Sequence, residues 1–135
     1  MLLAARMLNN VASVNAFDWA DEVEFTKGDQ VDVYFQLIDA NLDKAVKGFV
    51  PAGRRFCPAT GATLTVKLEN IDDAIAITRA CTQPFASDPS IWKLSILNSD
   101  VIQGTCALSL TLVEGPKTTR GRVEAAVLIH GQGAL

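Results

Sequence analysis

Val31-Asp32-Val33-Tyr34-Phe35-Gln36-Leu37 is the stretch on which the fold turns. Apolar Val31, Val33, Phe35 and Leu37 alternate with Asp32, Tyr34 and Gln36, and a period of two puts the first set on one face of a β-strand and the second on the other. Just upstream, Lys27-Gly28-Asp29 carries a turn signal, and before it Glu22 to Thr26 holds Val23 and Phe25 in phase. This pattern predicts two strands joined by a tight turn.

The same alternation recurs downstream. Leu64, Val66 and Leu68 alternate with Thr65 and Lys67 over Thr63 to Leu68; Trp92, Leu94 and Ile96 share one face of Ile91 to Leu97; Cys106, Leu108, Leu110 and Leu112 share one face of Thr105 to Val113. Arg55 to Cys57 and Arg122 to His130 read as further strands, and Lys117 to Gly121, after Gly115-Pro116, reads as a polar turn. Asn70 to Cys81 fits two periods: Ile71, Ala74, Ile75 and Thr78 at helical spacing, Ile75, Ile77 and Arg79 at strand spacing. A strand or mixed segment is expected there. Seven or eight short strands separated by Gly and Pro turns are the pattern of an all-β sandwich or barrel. No internal repeat or linker divides residues 22–135, which are expected to form one domain.

Residues 1–21 differ. Leu2, Leu3, Met7 and Leu8, then Phe17 and Trp19, are large apolar side chains with no sustained period around them. The segment is expected to be an N-terminal arm, docking either on its own domain or, through those residues, on a neighbouring subunit. The long loop from Asp39 to Arg54, with Phe49 inside it, is a second expected contact region.

Composition narrows the function classes. The 135 residues carry 12 Lys and Arg, 15 Asp and Glu and one His, for a net charge of −3. Nucleic acid is therefore not expected as a partner, because phosphate neutralisation needs clustered cations. No apolar run reaches the ~18 to 20 residues that span a bilayer, and Met1 to Arg6 lacks the basic start of a secretory signal. No membrane association is expected.

A Ser-His-Asp or Cys-His site would have to use His130, the sole imidazole, and no G-x-S-x-G elbow accompanies it. Cys57, Cys81 and Cys106 lie about 25 residues apart without a C-x-x-C pair, so they read as small buried hydrophobes rather than metal ligands. Asp72-Asp73 and Asp21-Glu22 are adjacent, not opposed across a cleft. Asp39-Ala40-Asn41-Leu42-Asp43 begins like a calcium loop but lacks its Gly and its final Glu. No glycine pattern cradles phosphate. The chain is read as a non-enzyme with no cofactor and no metal. Its charge is uneven: eight acids fall between Asp18 and Asp43 against Lys27 alone, while Lys44, Lys47, Arg54 and Arg55, and later Lys117, Arg120 and Arg122, cluster. A bipolar surface of that kind orients one copy against the next.

Phe25-Thr26-Lys27-Gly28-Asp29 followed by the strand ending Phe35-Gln36-Leu37-Ile38-Asp39, then Pro58-Ala59-Thr60-Gly61-Ala62-Thr63-Leu64, Asp88-Pro89-Ser90-Ile91-Trp92-Lys93-Leu94 and Gly104-Thr105, resembles phage tail and baseplate adaptor domains of the immunoglobulin-like type, such as the baseplate upper protein N-terminal module. The resemblance spans roughly residues 22–130. It implies a single immunoglobulin-like β-sandwich with an extended N-terminal arm, acting as a non-catalytic virion protein assembled in the host cytoplasm. Its implied partners are other virion structural proteins and further copies of itself. With no fibre extension after the sandwich, an accessory adaptor or a capsid decoration protein is expected. A carbohydrate-binding surface module is the competing class; it would need exposed aromatics, of which Trp19, Tyr34 and Trp92 are the candidates.

Overall fold

Period-two alternation builds most of the strands. The computed structural model describes residues 2–8, 19–20, 22–39, 54–70, 75–97, 100, 102–123 and 126–131. Its strands are β1 (Leu3–Leu8), β2 (Trp19–Ala20), β3 (Glu22–Thr26), β4 (Val31–Asp39), β5 (Arg54–Arg55), β6 (Thr63–Asn70), β7 (Ile75–Ala80), β8 (Ile91–Ile96), β9 (Gly104–Glu114), β10 (Lys117–Val123) and β11 (Ala126–His130). The described residues contain no helix, hence none long and apolar enough to cross a membrane.

Two layers result. In the first, β4 pairs antiparallel with β1 on one side and with β8 on the other, where β5 also adds two residues. In the second, β6 lies between β7 and β9. The far edge of β9 is covered first by β10 and then by β11. Between Arg122↔Ser109 and Val127↔Cys106 that outer chain advances five positions against three on β9, so its register shifts by two. The pairings β4 with β8, β6 with β9 and β9 with β10 are those of an immunoglobulin-like sandwich. The fold is an all-β sandwich.

The core is the inward phase of these strands. Leu64, Val66 and Leu68 of β6, with Leu108, Leu110 and Leu112 of β9, pack in one cluster with Val33, Phe35 and Leu37 of β4 and Trp92, Leu94 and Ile96 of β8. Each fully buried large side chain contributes about 1.5 to 3 kcal/mol. Ile91, on the opposite phase of β8, is also buried.

Two sequence expectations change, and a third gains a partner. The two strands joined by a tight turn are present as β3 and β4, but they do not pair with each other: β3 pairs parallel with β11, while β4 pairs with β1 and β8. The turn between them, with Gly28 at φ 97° and the Asp29 amide donating to the Thr26 carbonyl, carries the chain from one layer to the other. Lys117 to Gly121 is strand, not turn; the reversal is confined to Gly115-Pro116, with Gly115 at φ 61°. And Leu3–Leu8 is no appendage. Leu3 to Ala5 pair parallel with Gly121 to Val123 and antiparallel with Asp39 to Leu37, so β1 belongs to both layers and closes one side of the sandwich. The domain therefore begins at β1, not at Glu22. The approach of β1 to β10 requires glycine, since a Cβ on Gly121 would sit 2.1 Å from the Leu3 carbonyl oxygen.

Candidate functional site

The residues singled out as contacts separate into groups. Leu3, Met7 and Leu8 are buried, Leu3 and Met7 within the chain's own core, so these side chains are taken up by their own domain. Leu2, just ahead of β1, stays 59% exposed and is the member of that set available to a partner. Trp19 pairs through its backbone with Leu8. Phe17, Phe49 and the rest of the 40–53 loop, with most of the calcium-like stretch, lie outside the described residues, as does the Trp19 side chain.

The groups considered for chemistry occupy structural positions. His130, at the end of β11, has Nε2 3.7 Å from a Glu24 carboxylate oxygen, both side chains being more than half exposed. On β3, Glu22 is held above the usual carboxylate range, first by the hydrogen bond it shares with Glu24, then by partial desolvation and the Glu24 charge, with His130 opposing. Ser90 is fully buried. Its hydroxyl donates to Asp88, whose other carboxylate oxygen lies 3.5 Å from Arg55, and it accepts from Gln36 at 3.1 Å. This polar chain ties the segment before β8 to β4 and β5 and leaves the hydroxyl no route to solvent. Cys81 and Cys106 are buried as expected, with burial pushing the Cys81 thiol up to about 12; Cys57 is instead exposed. Among the described residues no group of three or more His, Cys, Asp or Glu is placed to hold a metal.

Two surfaces stand out. The first is the edge strand β7, which among the described residues pairs with β6 alone. Its other edge has no strand partner among the described residues, and its side chains Ile75, Ala76, Ile77, Thr78 and Ala80 carry no charge; Ile75 is 41% exposed. Edge strands are commonly guarded by charged side chains. The one charge on β7, Arg79, is turned inward: it makes a two-pronged ion pair with Asp100 at 2.6 and 2.9 Å and donates to the Ser95 carbonyl at 3.0 Å. That guanidinium, with the Leu97 amide, holds Asp100 below the usual carboxylate range.

The second is the outer face of the β7-β6-β9-β10 layer. The rows Thr78, Lys67, Ser109, Arg122 and Ala80, Thr65, Thr111, Arg120 run across it in register. Most of these residues line a shallow cleft of about 310 Å³. Lys67 lies 3.4 Å from Glu69. Arg120 and Arg122 were visible in the sequence as a cationic cluster; the hydroxyl floor was encoded in the polar phases of β6 and β9 but was read only as the outward side of a strand.

No family model matches the sequence, and no curated protein does. Among solved structures, the fold is similar to part of an endo-β-1,4-mannanase from Thermotoga petrophila, at 11% identity and a TM-score of 0.47, over 98% of this chain. The chain spans 20% of the length of that enzyme chain.

Proposed function

We propose that this chain is a non-enzymatic structural protein of a bacteriophage particle, joining tail, baseplate or fibre components through subunit contacts. The observation that carries the reading is the unguarded edge of β7. A strand with no second partner among the described residues, uncharged outward side chains and its one cation turned inward is a template for a strand of another protein. The sandwich behind it supplies rigidity, so presenting the edge carries little ordering cost on binding. The virion context rests on the sequence resemblance. A sugar-binding module gains less support, since Trp92 is in the core.

Mass spectrometry of purified particles, followed by electron microscopy of the assembly, tests this. The expected result is the chain present at fixed copy number with β7 at a contact between components. Its absence from purified particles overturns the reading.

A further inference from the structure

The outer face of the second layer has two poles. β11 continues β10 along β9, and β3 lies outside β11, so outward-facing residues of all of them share one surface. Register places Arg120 and Arg122 there beside Thr111 and Ser109, and Glu22 and Glu24 there beside Ala126 and Leu128. The cationic pole also includes Lys67, already near Glu69; the acidic pole includes His130, near Glu24. Among the described residues Arg120 and Arg122 have no ion-pair partner. Each pair sits at i and i+2 on a strand, so the Cα atoms that carry the two arginines and the two glutamates repeat at the same spacing of about 6.6 Å. Glu22 and Glu24 lie close enough to share a hydrogen bond, which with desolvation and the Glu24 charge raises the Glu22 carboxyl; facing cations favour the ionised form of both.

We infer that this face is a self-complementary interface: two copies of the chain pack it face to face, Glu22 and Glu24 of each seated on Arg120 and Arg122 of the other. A two-fold axis lying in the interface, perpendicular to the line between the poles, satisfies both ends at once. The hydroxyl floor of Thr65, Thr78, Ser109 and Thr111 then lies at the cationic end, where it hydrogen-bonds the incoming carboxylates. This deepens the assembly reading above and rests on it for its biological role; it uses a face, where that reading uses an edge.

Sedimentation velocity of the full chain tests it. A dimer is expected at about 50 mM salt, with its dissociation constant rising at least ~10-fold by about 500 mM as the charges are screened. R120E/R122E and E22R/E24R variants are each expected to be monomeric with unchanged thermal midpoints, and an equimolar mixture of the two to associate again, because both ends become complementary. A monomeric wild type at low salt, variants that still dimerise, or a mixture that stays monomeric overturns the inference. So does inorganic phosphate shifting the Arg120 and Arg122 signals of a chain that remains monomeric, which would make the cleft a site for a free anion. A dimer absent from particles overturns only the virion reading; a monomer present in them overturns only this interface.

Discussion

The two sides of the sandwich are closed by different means. On one, β1 hydrogen-bonds to β4 of the first layer and to β10 of the second, so the layers are joined by backbone. On the other, β7 and β8 belong to different layers, and what spans them is the Arg79 fork on Asp100 and Ser95, with the small bridge of Thr82 to Lys93 beside it. Backbone closure removes edges. On the β7 side the fork and the two backbone hydrogen bonds between Thr82 and Lys93 hold the layers together, while β7 itself pairs, among the described residues, with β6 alone, and a strand with one edge open is the condition for adding a strand from elsewhere.

The largest effect is expected on the closed side. Deleting residues 1–8 removes Leu3, Ala5 and Met7 from the core and, among the described residues, the strand that pairs with both layers. Far-ultraviolet circular dichroism should show loss of cooperative unfolding. A folded deletion mutant would show that β1 is a dispensable arm after all. A milder probe, Gly121→Ala, forces a Cβ against the Leu3 carbonyl. It should cost on the order of 3 kcal/mol in urea unfolding, at the upper end for inserting volume where nothing can give.

On the open side, Arg79→Ala should cost about 1 to 2 kcal/mol, more than an exposed pair because Asp100 would be left largely enclosed without its cation. The pH dependence has a defined sign. Asp100 titrates below its ordinary value in the folded chain, so the stability it supplies is full above the unfolded carboxylate pKa. It is lost as pH falls through the folded one. Wild type minus Asp100→Asn stability should therefore shrink on acidification below about pH 4; a constant difference would mean the pair contributes no ionic stabilisation.

These two sides also differ in how openly the sequence declares them. β4, β6, β8 and β9 were legible because each has one face inside, and alternation records that. β1 was not, since Leu3, Ala4, Ala5, Met7 and Leu8 are all buried, and a strand enclosed on both faces loses its period. The parallel pairing of β3 with β11 leaves no local trace, as its partners lie about a hundred residues apart in the chain. Lys117 to Gly121 looked like a turn because Gly121 reads as a breaker when it is a point of close approach. Of the candidate surfaces, the clustered arginines were visible as charge. The exposed edge was not: Ile75 suits a helix face with Ile71, Ala74 and Thr78 as well as a strand with Ile77 and Arg79, and it takes the pairing of β7 to show which edge has no partner among the described residues.

Thiol reactivity sharpens the comparison. In the native protein one of the three cysteines, Cys57, should react promptly with an aromatic disulfide reagent. Cys81 follows β7 on the open side, its amide bonded to the Leu64 carbonyl, whereas Cys106 lies on β9 between two paired strands. Local opening of an edge is easier than opening of a central strand, so Cys81 should label faster than Cys106, and Arg79→Ala should accelerate Cys81 alone. Equal rates for both would mean that the sides open together.

The smallest effect on stability belongs to Ile75→Lys. The side chain is 41% exposed, so the fold should change by about 0.5 kcal/mol or less. Yet a lysine there places a charge on the edge that lacks one. If β7 joins a strand of another component, the variant should fold normally and fail to incorporate into particles. Glu22, Glu24, Arg120 and Arg122 lie elsewhere, so its salt-dependent pairing in solution should persist. Normal incorporation would remove the edge from the assembly and leave the charged face as the surface through which this chain meets its neighbours.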